Sequence, residues 1–322
     1  MKALTFEQFG GPEVLHVREI ADPQIQVDSV IVRMQAIGLN FADIYRRRGN
    51  YHLAGKVPYI LGYEGAGIIE QVGEGVKAFA VGDRVGFADV AHANAERVLV
   101  PADRLIPLPG GISFEQAAAV LLQGLTAHYL ANDSYPVKRS DEVLVHAAAG
   151  GVGQLLVQLC KSKGARVLGL TSSAEKREFA LKAGADQVLL YDSDWVSDAR
   201  DWSTGGSGVD VVYDSVGSTL MDSFEATRTK GAVVFYGMAG GDPPPVDPRM
   251  LMDSSKTLTG GDLWNHVTTH QDRVRRASSL FADMLAMKLR LEPPKLFPLS
   301  EGAEAHRYME SRRSIGKILL IP

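Results

Sequence analysis

The chain has 322 residues, 45% hydrophobic and 22% charged, with a formal net charge of −4 and a pI of about 6.1. That length suits two globular domains, and the mild acidity gives no broad attraction to nucleic acid or to an anionic membrane. The single cysteine, Cys160, excludes an internal disulfide and a four-cysteine structural metal site. Cys160 follows the apolar helical run Leu155-Leu156-Val157-Gln158-Leu159 and reads as a core residue rather than a nucleophile. The N-terminal stretch Met1-Lys2-Ala3-Leu4-Thr5-Phe6-Glu7 lacks the long apolar region of a signal peptide. No window approaches the roughly 18 uncharged apolar residues that a membrane span requires. A cytoplasmic location is therefore expected, which leaves the sequon Asn132-Asp133-Ser134 without consequence.

In chain order, the first 110 or so residues read as short strands and turns, with β-rich runs at 30–34 and 67–72. Gly10-Gly11-Pro12, Gly73-Glu74-Gly75 and Val81-Gly82-Asp83 are turn punctuation. Ser113-Phe114-Glu115-Gln116 has the spacing of a capping box and predicts a helix start, continued over 117–131. From residue 141 strand and helix patterns alternate. Strands are predicted at 142–146, 165–171, 187–191, 209–214 and 232–236, with helices at 154–163, 174–183 and 219–229. That rhythm implies an α/β doubly wound parallel sheet covered on both faces. Pro243-Pro244-Pro245 breaks it; a long helix at 273–289 and a strand at 317–321 follow. The expected organisation is a nucleotide-binding domain at 121–265, and a β-rich domain at 1–120 completed by 266–322.

The run His146-Ala147-Ala148-Ala149-Gly150-Gly151-Val152-Gly153 lies between a predicted strand and a predicted helix. Read as A-x-x-G-x-x-G, it supplies the small residues that let a backbone approach a pyrophosphate at a helix N-terminus. Further strands beyond it provide the context that a lone glycine motif lacks. At the end of the second strand, where an NAD site carries an acid, the chain reads Thr171-Ser172-Ser173-Ala174-Glu175-Lys176-Arg177. Hydroxyls and cations there favour the 2′-phosphate of NADPH.

Other constellations carry less chemistry. Arg46-Arg47-Arg48 reads as a solvated basic turn. His266 and His270 have the i, i+4 spacing of a helical metal pair but no third ligand, and read as surface histidines. No G-x-S-x-G is present, and Asp214-Ser215-Val216-Gly217, at a strand end, reads as cofactor-site lining.

Together these segments resemble the zinc-free quinone oxidoreductases, the zeta-crystallin branch of the medium-chain dehydrogenase/reductase superfamily. The resemblance is carried by Phe9-Gly10-Gly11-Pro12-Glu13-Val14-Leu15, Gly38-Leu39-Asn40-Phe41-Ala42-Asp43, Leu61-Gly62-Tyr63-Glu64-Gly65-Ala66-Gly67 and Ala80-Val81-Gly82-Asp83-Arg84-Val85. It continues through Gln123-Gly124-Leu125-Thr126-Ala127, the glycine run, and the terminal Leu319-Leu320-Ile321-Pro322. It implies a Rossmann domain beside a GroES-like catalytic domain. It also implies no zinc, since Asn40, Tyr63 and Gln123 stand where zinc-dependent relatives place ligands. As cofactor contacts it implies Asn40, Phe41, Asp43 and Thr126 near the nicotinamide, and Gly150, Val152 and Gly153 at the pyrophosphate. Ser172, Ser173, Lys176, Tyr191 and Arg312 would surround the adenosine phosphate, with Ser215, Gly237 and Met238 along the cofactor wall. The chain departs from the pattern at Gly261-Asp262-Leu263 and at His52.

The activity so implied is NADPH-dependent reduction of quinones or other α,β-unsaturated carbonyls, by hydride or by single electrons. Asn40, Tyr45 and Tyr51 are the expected donors to the developing oxyanion. An enoyl-thioester reductase with a basic entrance at Arg46-Arg47-Arg48 is one alternative. A non-catalytic crystallin-like or RNA-binding protein is another. A homodimer paired through an edge strand near 232–237 or 257–259 is expected.

Overall fold

The computed structural model describes residues 1–311 and 313–322. The chain divides into two compact units, one formed by residues 1–125 and 267–322 and the other by residues 126–266.

The first unit is β-rich and mainly antiparallel. Its N-terminal portion contains β1 (Lys2–Phe6), β2 (His16–Glu19), β3 (Ser29–Leu39), α1 (Phe41–Arg47), β4 (Tyr59–Ile60), β5 (Glu64–Val72), β6 (Arg84–Ala88), β7 (Arg97–Pro101) and β8 (Ile106–Pro107). The eleven-residue β3 is its spine, pairing antiparallel with both β5 and β7. Leu4, Phe6, Val30, Val32, Ile37, Leu39, Val85 and Phe87 form the buried centre of its core.

α2 (Phe114–Tyr129) begins where the capping box places it. Gln116 N–H donates to Ser113 Oγ at 3.1 Å, and Ser113 N–H donates to Gln116 Oε1 at 2.9 Å.

The second unit alternates as its sequence rhythm requires. It contains β9 (Glu142–Val145), α3 (Gly151–Ser162), β10 (Arg166–Thr171), α4 (Ala174–Lys182), β11 (Gln187–Leu190), α5 (Trp195–Trp202), β12 (Val209–Asp214), α6 (Leu220–Ala226), β13 (Thr227–Phe235), α7 (Pro248–Ser254) and β14 (Thr257–Gly260). The six strands are all parallel, in the order β11-β10-β9-β12-β13-β14. This is a Rossmann sheet, and the strand order reverses between β9 and β12, the place where such sheets bind ligands beyond their carboxyl ends. The helix expected over 219–229 is shorter than its pattern suggested: Thr227 already begins β13, which runs through Gly231. The threonines at 227 and 229 favour the strand.

The chain then returns to the first unit through α8 (His270–Leu285), β15 (Lys295–Pro298), α9 (Gly302–Glu310) and β16 (Ile318–Ile321). β16 pairs antiparallel with β3, setting Ile318 opposite Leu39. The residue before β16, Lys317, is thereby brought to the end of β3. Among the described residues no helix is long and apolar enough to cross a membrane.

Candidate functional site

Two constellations emerge, one in each unit. In the second unit, β9 ends at Val145 and the chain turns sharply before α3. Ala147 takes φ 48°, a left-handed conformation unusual for a residue with a Cβ. Gly150 N–H donates to Ala147 O at 2.7 Å, and the first intrahelical bond runs from Gln154 N–H to Gly150 O at 2.9 Å. The N–H groups of Gly151, Val152 and Gly153 precede that bond, so they form the donor end of the helix. Gly153 must be glycine, because a Cβ there would sit 2.3 Å from Ala147 O and 2.8 Å from Ala148 Cα. The turn can press against α3 only without that atom.

Behind the turn runs a buried chain of hydrogen bonds. Ala147 N–H donates to Tyr191 Oη at 3.0 Å; Tyr191 Oη lies 3.1 Å from His146 Nδ1; His146 Nε2 lies 3.1 Å from Ser223 Oγ; Ser223 donates to Asp214 Oδ2 at 2.7 Å. Burial lowers the His146 pKa and keeps the ring neutral. With Asp214 able only to accept, the protons have one consistent order: Tyr191 donates to Nδ1, and Nε2–H donates to Ser223. A serine, a histidine and an aspartate meet here, but the hydroxyl donates to the carboxylate and is fully buried, so it is no nucleophile.

Asp214 also organises the loop after β12. Its Oδ1 accepts Val216 N–H at 2.8 Å and Gly217 N–H at 3.0 Å, and its Oδ2 accepts Thr219 Oγ1 at 2.9 Å. Burial would raise its pKa, but these hydrogen bonds bring it below the usual carboxylate range. Ala239 N–H donates to Ser215 O at 3.0 Å, so Ser215, Gly237 and Met238 lie on two strand-end loops zipped together. Ser173 caps α4, its Oγ accepting Lys176 N–H at 3.3 Å, while Ser172 is exposed beside it. Thr126 is buried in α2, and Arg312 lies outside the described residues. The resemblance sets Tyr191 among the phosphate contacts; in the structure its hydroxyl bonds Ala147 N–H and His146 Nδ1.

In the first unit, Asn40 ends β3 and precedes α1. Its N–H donates to Asp43 Oδ2 at 3.0 Å, its Nδ2 donates to Glu64 Oε2 at 2.9 Å, and its Oδ1 accepts from Lys317 Nζ at 2.8 Å. Lys317 Nζ also lies 2.6 Å from Glu64 Oε2, and Glu64 Oε1 accepts Leu122 N–H at 2.6 Å. Glu64 is fully buried and Lys317 only 3% exposed. Gly38 makes room for this pair, since a Cβ there would stand 2.2 Å from Glu64 Oε2. Phe41 and Tyr45 lie on α1, the first exposed and the second half-buried. Asp43 is buried and committed to capping Asn40 and pairing with Arg46; burial raises its pKa against the pull of Arg46.

The expected basic turn at 46–48 is not what forms. Arg46 and Arg47 are completely buried, and only Arg48 is exposed. The Arg46 guanidinium lies 3.7 Å from the centre of the Tyr63 ring and 5.0 Å from that of Tyr51, and its Nε donates to His52 O at 3.1 Å. Arg47 reaches Glu310 at 2.7 Å and His306 Nδ1 at 3.0 Å. Aromatic faces around Arg46, and the carboxylates of Asp43 and Glu310, draw in two of the three cations. A basic entrance built on Arg46 and Arg47 is thereby overturned. The two histidines at 266 and 270 do not share a helix: His266 stacks on Tyr129 at 4.3 Å, and α8 begins at His270. Cys160 is buried, with burial pushing its thiol pKa up to about 12, as a core residue requires.

Comparison with known proteins decides the family. The model described as "Zinc-binding dehydrogenase" matches residues 151–282, and "Alcohol dehydrogenase GroES-like domain" matches residues 26–110. The chain is 37% identical to quinone oxidoreductase 1 of Escherichia coli K12, covering 99% of each. It is 36% identical to the 2-haloacrylate reductase of a Burkholderia species, covering 99% of this chain and 98% of that one. The crystal structure of Escherichia coli quinone oxidoreductase complexed with NADPH superposes with a TM-score of 0.96 at 38% identity, covering both chains completely. The chain belongs to the quinone oxidoreductases of the medium-chain dehydrogenase/reductase superfamily. Its fold is that of the superfamily, a parallel Rossmann-like sheet with an antiparallel GroES-like domain.

Within this family the zinc implied by one model's description does not fit the residues present. Asn40 offers an amide already bonded to a lysine ammonium, and Tyr63 offers a phenol that accepts Ala54 N–H at 3.1 Å. Among the described residues no group of three or more His, Cys, Asp or Glu could hold a metal ion. The nucleotide does fit, on the tight turn against α3. The residues that sequence reasoning missed are Lys317, Glu64, His146, Ser223 and the buried Arg46. The one available signal was a lysine set directly before the apolar run Ile318-Leu319-Leu320.

Proposed function

We propose that this protein is an NADPH-dependent, metal-free reductase of quinones and other α,β-unsaturated carbonyls. One observation carries the reading: the glycine-tight turn between β9 and α3, in a chain that matches a quinone oxidoreductase complexed with NADPH end to end. The N–H groups of Gly151, Val152 and Gly153 would hold the pyrophosphate, and Gly150 leaves the turn open to it. Ser172, Ser173, Lys176 and Arg312 would take the adenosine 2′-phosphate; Ser215, Gly237, Met238 and Thr126 would line the cofactor. When bound, NADPH supplies the hydride.

The rest of the work falls to side chains. Reduction of a conjugated carbonyl places negative charge on its oxygen, and fixed donors stabilise that charge. Asn40, Tyr45 and Tyr51 are the proposed donors, with Phe41 and Asp43 shaping and bracing the same segment. A quinone or enone is already electron-poor, so a hydrogen bond suffices where an unactivated alcohol would need a strong base. The same reading makes the protein a cytoplasmic homodimer, with the edge strand β14 as the pairing element. Its test is NADPH consumption against a panel of quinones, free enones and enoyl thioesters. Turnover on quinones or free enones is expected; NADPH binding without turnover on any of them contradicts the reading.

A further inference from the structure

We propose that Lys317 is a positioning residue of the reductase site, fixing the Asn40 amide and strengthening it as a hydrogen-bond donor. The inference rests on the reading that Asn40 donates to the substrate carbonyl. Three observations lead to it. First, the orientation of the Asn40 amide is decided by its neighbours. Its oxygen faces the Lys317 ammonium at 2.8 Å and its nitrogen faces Glu64 at 2.9 Å and Gly38 O at 3.4 Å. Flipped, the amide would set its NH2 against an ammonium and its oxygen against a carboxylate. Second, the second amide N–H is held only by the 3.4 Å approach to Gly38 O, too long for a good bond, so this is the proton a substrate oxygen can draw. Third, the ammonium is buried and anchored at its other side, because Glu64 is itself held by Leu122 N–H.

A cation on an amide oxygen withdraws electron density through the conjugated N–C–O unit, making the N–H a stronger donor. Asn40, Lys317 and Glu64 are 6%, 3% and 0% exposed, so that polarisation is only weakly screened. Lys317 thus sets a positive charge one amide removed from the substrate, in a family member whose residues do not fit zinc. Glu64, 2.6 Å away, holds the ammonium in place.

The test is a double-mutant cycle. Lys317→Met alone strands the Glu64 carboxylate, so the pair Lys317→Met/Glu64→Gln is removed together, in the wild-type and in the Asn40→Ala backgrounds. With wild-type turnover established on a quinone, the paired change is expected to lower kcat about tenfold or more. The NADPH dissociation constant should stay within about twofold, since the cradle is untouched. In the Asn40→Ala background the same change should move kcat less than about twofold, because its target is gone. Lys317→Arg, which keeps the charge, should recover part of the loss. An unchanged kcat, an equal loss in both backgrounds, or an Asn40→Ala variant as active as wild type would overturn the inference. Failure of the underlying reading looks different: the wild-type protein binds NADPH and turns over no quinone or enone.

Discussion

The Tyr191 hydroxyl accepts the Ala147 N–H at 3.0 Å, tying the end of one Rossmann strand to the strained turn that follows another. Ala147 holds a left-handed backbone and cannot relax without losing that bond. Tyr191→Phe removes the hydroxyl and leaves both Ala147 N–H and His146 Nδ1 without their partner. A loss of about 1–3 kcal/mol in unfolding free energy is expected, measured in denaturant. NADPH affinity, followed by nicotinamide fluorescence, should weaken several-fold. Full affinity at reduced stability would mean that the turn keeps its shape by other means.

Arg46 and Arg48 are two positions apart in sequence and opposite in consequence. Arg46→Met removes the guanidinium from between Tyr51 and Tyr63 and deprives the buried Asp43 of its hydrogen-bonded cation. The expected cost is about 3–5 kcal/mol, the range for breaking a buried pair from one side. Arg48→Ala removes an exposed partner of Glu310 and should cost about 0–1 kcal/mol. Equal effects at the two positions would contradict the burial of Arg46.

His306 gives the fold a pH dependence of known sign. Burial, then the neighbouring Arg47 guanidinium, lowers its pKa to about 3. The unfolded imidazole titrates near 6.5, so between those values the unfolded chain binds the extra proton. Its contribution to stability is therefore complete above about pH 6.5 and is lost as pH falls toward 3. His306→Gln keeps an acceptor for Arg47 and has no proton to gain. Unfolding free energy measured from pH 7.5 down to pH 5 should fall less steeply in that variant, by up to about 1.4 kcal/mol per pH unit. Parallel slopes would assign the acid sensitivity elsewhere.

Much of this was legible in the sequence, for a physical reason. The Rossmann unit declares itself by strand-helix periodicity and by a glycine run whose spacing is dictated by atoms a few residues apart. The Gly153 Cβ would clash with Ala147, a contact wholly within one turn, and the Ser113–Gln116 box is equally local. What stayed hidden depends on distant segments. Lys317 reaches Asn40 across 277 positions because β16 pairs with β3, a register that no local pattern encodes. Arg46 and Arg47 look like surface charge until Tyr51, Tyr63 and Glu310 fold around them. The Ser223 and His146 partnership likewise needs α6 packed against the sheet.

The measurement that bears most directly on the whole account is the ratio of kcat/KM for NADPH to that for NADH, with a quinone acceptor, in the wild-type protein and in Lys176→Ala. A wild-type preference for NADPH that collapses in the variant, mainly through the NADPH Michaelis constant, is the expected result. Equal use of both cofactors by the wild type, or an equal loss with both in the variant, would contradict it.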